Sequence, residues 1–189
     1  MSKKNQMGFS GLMSIYPLKN LVKSTIFPIL IDICLIFIVR IFDIDTYKLI
    51  VFISETITSV IPNVLGFILT GYAVIISVTE SKYLKIMVKT LPNKNITLYQ
   101  TVNSTFAFVL MVLCATFIFG FLSNFILKAN LEIVDCLSNC LYKINLSILF
   151  LLIFLFLYSI FAIKDVVFNI FNFGQFINKI EINTNNGQE

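Results

Sequence analysis

The chain has 189 residues, of which 58% are hydrophobic and 13% charged, and its formal net charge is +4. An ordinary soluble domain carries roughly 25% charged residues, so too few polar side chains remain here to cover a water-exposed surface, and the composition predicts an integral membrane protein. Histidine is absent, which excludes Ser-His-Asp and Cys-His catalysis, histidine-ligated zinc or haem, and a histidine pH switch.

Residues 1–24 precede the first long apolar run, and no cleavage site of small residues follows that run, so the sequence predicts a retained cytoplasmic segment, not a removed signal. Within it, Gly8 to Val22 mix apolar and polar side chains. This pattern fits either a short helix lying on the membrane surface or a flexible tail, and both interpretations remain open.

Four stretches are long and apolar enough to cross about 30 Å of hydrocarbon as helices. They predict transmembrane helices over about 25–42, 49–78, 104–127 and 145–163. Strands are excluded by the length of these stretches, and a soluble bundle is excluded because the helices lack polar faces. The fold class is therefore an all-α integral membrane protein, with one transmembrane domain over 25–180 and a disordered tail over 181–189.

Lysines near the span ends predict the orientation, because they favour the cytoplasmic side. Segment 1–24 and loop 79–103 together contain eight lysines, against three in the other two connections. Both termini and loop 79–103 are thus predicted to be cytoplasmic. In that loop Lys82, Lys85 and Lys89 alternate with apolar residues. They either contact anionic headgroups or a cytoplasmic partner protein, or are solvated lysines that only obey the topology rule.

Asp32 lies near the middle of the first predicted span, and Arg40 lies two turns later, where it can reach the outer interface. A charge at membrane depth costs about 2.5–3.5 kcal/mol on insertion scales, which makes Asp32 a candidate functional residue. It either lines a pore or pairs with another helix, or it lies in a shifted span and serves only helix packing.

The second predicted span begins with a polar approach around Glu55 and contains Pro62. The proline removes the hydrogen bond to the carbonyl of Thr58 and predicts a kink there. Glu55, Thr58, Asn63 and Thr70 then form either a polar pathway or an interfacial helix that leads into an ordinary span.

Small residues recur at a spacing of four in the same helix, as Gly66 with Thr70 and as Ala73 with Ser77. The two pairs lie on nearly the same face, which predicts a close helix contact either within the chain or between copies. Cys136 and Cys140 fall in a predicted outer loop, where they are either a local disulfide or two free thiols.

The sequence contains no phosphate-binding glycine motif, metal-binding carboxylate cluster or nucleic-acid module, so we expect no enzyme activity, no cofactor and no direct nucleic-acid partner. The run Ile61–Val78 resembles segments of small bacterial membrane proteins, several of them encoded beside antiviral genes. The size and four-span layout are similar to the membrane subunit of the Kiwa anti-phage system, and membrane effectors linked to retrons or CRISPR loci are related possibilities.

The resemblance implies an oligomeric inner-membrane assembly with a cytoplasmic partner from the same operon. The sequence thus predicts the sensor or effector subunit of an antiviral system. The alternative is a small ion or solute channel or transporter that uses Asp32 and Glu55.

Overall fold

The computed structural model describes residues 8–16, 18–78, 87–88, 96–128 and 138–186. These residues form five α-helices and no strand: α1 (Gly8–Ile15), α2 (Leu18–Ile41), α3 (Thr46–Val78), α4 (Leu98–Lys128) and α5 (Ser138–Asn186). Helices α2 to α5 each contain a window long and apolar enough to cross a membrane, so the described chain fits a multi-pass membrane protein. The four predicted spans are confirmed as apolar helices.

Local hydrogen bonds define where α2 ends and α3 begins. Asp43 adopts a left-handed backbone conformation (φ 47°), and the amide of Ile44 donates to the carbonyl of Val39 at 3.0 Å, a pattern that terminates helices. Asp45 then caps α3 through its carboxylate, which accepts hydrogen bonds from the amides of Tyr47 (3.0 Å) and Lys48 (3.3 Å). The connection between the two helices is therefore short.

A reciprocal cap begins α4. The side chain of Gln100 accepts a hydrogen bond from the amide of Thr97 at 3.0 Å, and the hydroxyl of Thr97 accepts one from the amide of Gln100 at 3.1 Å. This cap starts the helix at Leu98, six residues before the predicted boundary at 104. The predicted boundary was too late because hydropathy detects only the apolar part of a helix. The capping hydrogen bonds extend α4 into the polar residues before that part.

The fourth predicted span, 145–163, lies near the beginning of a much longer helix. Helix α5 has 49 residues and continues to Asn186, into the segment for which the sequence predicted disorder. Its later half remains helical because Val166 and Phe173 are buried in the main core. Helix α5 packs against α2, α3 and α4, while the described part of α2 packs mainly on α5.

The core between α3, α4 and α5 is built from a stripe of isoleucines on α3. Ser54 lies on the same side, and it is fully buried. Tyr72 on α3 donates a hydrogen bond to the side chain of Asn103 on α4, and its ring lies 5.2 Å from that of Phe106. The buried isoleucines of α3 are Ile50, Ile57, Ile61, Ile68 and Ile75.

Helix α1 is packed against the bundle, which favours the helix over the flexible tail for this part of the N-terminal segment. The ring of Tyr16, just after α1, stacks on that of Phe108 with 4.3 Å between the centroids and 13° between the planes. Leu12 and Met13 contact the same small cluster, which also contains Tyr158 of α5.

Candidate functional site

Asp32 is fully buried on α2, and neither of its carboxylate oxygens has a hydrogen-bond partner in the described part of the chain. Most of α2 is exposed, and its principal neighbour is α5. On helix register Asp32 lies one turn beyond Pro28, which is also fully buried, and next to Pro28 the ring of Phe27 contacts that of Phe161 on α5. Asp32 thus lies against protein and not against lipid. Arg40 is exposed in the last turn of α2.

Glu55 forms an ion pair with Lys128 at the last residue of α4, with 3.3 Å between carboxylate oxygen and ammonium nitrogen. Both side chains are more than half exposed, at 51% and 66%. Glu55 is therefore level with a helix end, which favours the interfacial interpretation of this segment over a buried polar pathway. Asp32 and Glu55 belong to different helix contacts, α2 with α5 and α3 with α4.

The face of α3 opposite the isoleucine stripe carries small and polar residues, and we call it the outer face. The side chain of Asn63 donates to the carbonyl of Ser59 at 3.0 Å, and the hydroxyl of Thr70 donates to that of Gly66 at 2.9 Å. A Cβ added at Gly66 would meet nothing within 4 Å. The outer face consists of the exposed residues Ser59, Asn63, Gly66, Thr70, Ala73 and Ser77.

The small residues that the sequence singled out are therefore not in a helix contact within the described chain. The close contact of α3 occurs elsewhere, at Gly120 of α4, where an added Cβ would lie 2.4 Å from Cγ2 of Ile57. Helix α3 is continuous through Pro62.

A buried polar contact links α4 to α5. The hydroxyls of Thr116 and Ser159 lie 2.7 Å apart, and both residues are fully buried. Each hydroxyl also lies within hydrogen-bond distance of a carbonyl on its own helix, 2.9 Å to Val112 and 2.8 Å to Leu155. The pair is thus satisfied internally and serves to fix the register of the two helices.

A cavity of about 550 Å³ lies where the end of α1 and the beginnings of α2 and α4 meet the middle of α5, and we call it the junction cavity. Tyr16 is only 5% exposed, and burial, followed by the charge of Asp165 and by Tyr158, raises the pKa of its hydroxyl to about 12. Tyr16 is therefore neutral at physiological pH. The cavity is lined by Tyr16, Ser24, Phe27, Thr101, Thr105, Phe161, Lys164, Asp165, Phe168 and Asn169.

Two groups of predicted site residues, the loop lysines and the outer-loop cysteines, fall outside the part of the chain that the structure describes. Lys82, Lys85 and Lys89 lie outside the described residues, as do Cys136 and the side chain of Cys140. Cys34 and Cys114 are free thiols on the exposed surface of their helices. Within the ranges that the structure describes, no three His, Cys, Asp or Glu side chains are grouped so as to hold a metal ion.

Sequence reasoning missed the junction cavity because its residues come from four separate elements. One signal was available. Lys164 and Asp165 are the first charges after the uncharged run from Leu146 to Ile163, so they lie where α5 leaves its most apolar stretch. The Thr116 and Ser159 contact gave no comparable signal, because single hydroxyls in apolar helices are common.

Comparison of the chain with known protein families, with curated proteins and with solved structures gave no match.

Proposed function

We propose that this chain is a non-catalytic membrane subunit that assembles with further copies of itself through the outer face of α3. Both termini lie in the cytoplasm of a bacterial cell, and the assembly acts as the sensor or effector of an antiviral system with a cytoplasmic partner from the same operon. The observation that carries the proposal is the polar character of a face that the described fold leaves uncovered.

Hydrocarbon is a poor environment for that face. Asn63 lies eight residues, about 12 Å along the helix, beyond Glu55, which pairs with the end of α4. Its amide makes one hydrogen bond, to the carbonyl of Ser59, and so retains a second N–H and a carbonyl oxygen for another partner. Polar side chains at this depth stabilise helix association because the alternative is an unsatisfied group in lipid.

The spacing of the outer face supports a second copy of α3 as that partner. The steps from Ser59 to Ser77 alternate between four and three residues, which is the repeat of two helices packed at a small angle. Copies in one membrane share their orientation, so a twofold axis along the membrane normal brings each residue opposite its own counterpart. Asn63 then meets Asn63 of the other copy, and Gly66 and Ala73 allow the backbones to approach closely.

The antiviral part of the proposal rests on the resemblance of size, helical layout and the run Ile61–Val78 to the Kiwa membrane subunit. In this proposal a cytoplasmic protein docks on the loop that contains Lys82, Lys85 and Lys89. The chain contributes assembly and the membrane response, and catalysis, if the system requires it, comes from the partner.

Phage plating on cells that carry the native operon tests this role. We expect protection to be lost when the gene is deleted and when Gly66→Leu and Ala73→Leu are combined, because the larger side chains separate the α3 helices. Cys114→Leu is the matched control, since it also enlarges an exposed small residue on an apolar helix. A membrane-potential dye read during infection separates an effector, which depolarises the cell, from a sensor, which does not.

Unchanged plating in the deletion strain would contradict the antiviral role. If deletion abolishes protection but the double leucine variant retains it, assembly through the outer face would be contradicted and the antiviral role would not.

The second candidate function is transport, and the buried carboxylate of Asp32 favours it, since an unpartnered acid in an apolar helix is functional in many membrane proteins. Glu55 is not part of a site with Asp32, because Glu55 pairs with Lys128 in a different helix contact. Flux through liposomes that contain the purified chain tests this function. A transporter would lose flux in Asp32→Asn, whereas the assembly proposed above retains both its oligomer and its phage protection in that variant.

A further inference from the structure

The junction cavity combines opposite charges, hydroxyls and phenyl rings in one space. Its volume of about 550 Å³ lies within the range of small-ligand sites, roughly 300–1,000 Å³. Four of its polar side chains have no hydrogen bond or ion pair within the described part of the chain: Tyr16, Lys164, Asp165 and Asn169. Tyr16 is 5% exposed as a residue, and its hydroxyl lines the cavity. A hydroxyl that lines a cavity without a protein partner is available to a ligand.

The lining of the cavity offers both hydrogen-bond donors and hydrogen-bond acceptors. Lys164 and the hydroxyl of Tyr16 are donors, which suits an anionic oxygen. On α4, the hydroxyls of Thr101 and Thr105 donate to the carbonyls of Thr97 (3.1 Å) and Thr101 (3.0 Å), so their oxygens are left to accept. Together with the carboxylate of Asp165 on the facing helix, they suit a cation that donates several hydrogen bonds.

The formal charges of Lys164 and Asp165 cancel, so the lining is neutral overall while carrying one charge of each sign. A neutral lining of this kind favours a zwitterion over an anion. A group with an anionic phosphate and a primary ammonium satisfies both the donors and the acceptors. We propose that the junction cavity binds a phosphoethanolamine group, with its phosphate on Lys164 and Tyr16 and its ammonium on Asp165 and the α4 threonines.

The surroundings of the cavity favour a membrane lipid as the source of this group. Lys164 is the first charge after the uncharged run Leu146–Ile163, which at 1.5 Å per residue spans about 27 Å, close to the hydrocarbon thickness. The cavity therefore lies at headgroup level. Phe27 and Phe168 line it and are 59% and 57% exposed, so it opens onto the apolar outer surface, along which acyl chains can lie.

The test uses the purified full-length chain, stripped of lipid in a mild detergent. Its thermal unfolding midpoint is measured with short-chain phosphatidylethanolamine, phosphatidylcholine or phosphatidylglycerol, and with free phosphoethanolamine. We expect phosphatidylethanolamine to raise the midpoint by about 3–6 °C at ten times its Kd. Phosphatidylcholine should have a smaller effect, because its quaternary ammonium has no hydrogen to donate to Asp165. Phosphatidylglycerol should have a smaller effect because it has no ammonium.

Two variants and two controls locate the site. Lys164→Ala and Asp165→Asn should each weaken phosphatidylethanolamine binding about tenfold, the loss expected for one partly solvated charged hydrogen bond. Lys179→Ala, on an exposed part of the same helix, and Asp43→Asn, outside the helices, should bind as the wild type does. Native mass spectrometry of the retained lipid gives a second readout for a variant that is itself less stable.

Three results would overturn the proposal: equal stabilisation by phosphatidylcholine, stronger stabilisation by phosphatidylglycerol, or equal losses in the control variants. If free phosphoethanolamine acted at the same concentration as the lipid, the lipid source would be overturned.

Discussion

The two faces of α3 differ both in composition and in what covers them. The inner face is a stripe of isoleucines that α4 and α5 bury, whereas the outer face, from Ser59 to Ser77, is small, polar and uncovered. In a soluble helix this arrangement needs no explanation, because water satisfies the polar face. In an apolar helix of membrane length, the outward face is expected to be apolar, since lipid cannot form hydrogen bonds with polar groups. The outer face of α3 is polar instead. The inner face therefore holds the chain together, and in the assembly that we propose the outer face joins the copies.

The inner face can be broken at its closest contact. Gly120→Val should lower the unfolding midpoint by about 6–12 °C, because its Cβ would overlap Ile57 and overpacking of this kind costs about 3 kcal/mol. Adding Ile57→Ala should recover part of the loss. Gly174→Val is the control, since an added Cβ there meets nothing within 4 Å. A midpoint equal to the wild type in Gly120→Val would contradict the close approach of α3 and α4.

The outer face should respond in the opposite way. Asn63→Leu should weaken self-association by about threefold to twentyfold, the range measured for hydrogen bonds between membrane helices, while the unfolding midpoint of the monomer stays within about 2 °C. Dilution of labelled protein in bilayers, read by energy transfer, measures the association. If Asn63→Leu associated normally, or lost stability as a monomer, the assignment of association to the outer face and of chain stability to the inner face would be contradicted. Cys114→Leu again serves as the control.

The contact between Thr116 and Ser159 shows how a polar pair behaves when it is already satisfied. Thr116→Val and Ser159→Ala should each cost about 1 kcal/mol, and the double variant should cost less than the sum, with a coupling of about 0.6 kcal/mol. Thermal unfolding of the four proteins gives the coupling. Thr56→Val is the control, because the hydroxyl of Thr56 bonds only within its own helix, to the carbonyl of Phe52 at 2.8 Å. Strict additivity would mean that the two hydroxyls act independently.

The ion pair at the end of the inner face should matter least. Glu55 and Lys128 are 51% and 66% exposed, so solvent screens their attraction, and Glu55→Gln should cost no more than about 0.5 kcal/mol. The unfolding midpoint of this variant should differ from the wild type by about 2 °C or less at low salt, and the difference should vanish at high salt. A larger loss that persists in salt would indicate that Glu55 is buried in the assembled protein and would reopen its role in transport.

The four apolar helices could be predicted from hydropathy because each contains a long apolar window with at most two charged residues. Their ends could not, since Asp45 and the Thr97 and Gln100 pair set them through local hydrogen bonds that have no hydropathic signature. The sequence also could not predict whether the small residues of α3 face the bundle or its outside. Residues with a spacing of three and four occur on both faces, and only the packing against α4 and α5 decides which face is buried.

The candidate sites divide in the same way. Asp32 was recognisable as an unusual charge in an apolar run, but its burial against protein depends on α5, whose neighbouring residues lie more than a hundred positions later in the chain. Lys164 and Asp165 were the one signal of the junction cavity in the sequence, and its other walls could not be predicted, since no single segment contributes more than half of its lining. Contacts between distant segments require the folded structure.

The length of α5 has a mechanical consequence. At 1.5 Å per residue its 49 residues extend about 74 Å, more than twice the hydrocarbon thickness, and it contacts every other long helix described. A rod of that length that tilts by about 10° moves its far end by about 13 Å relative to its base. A small change in the tilt of α5 therefore displaces its C-terminal end much further than the residues near its start.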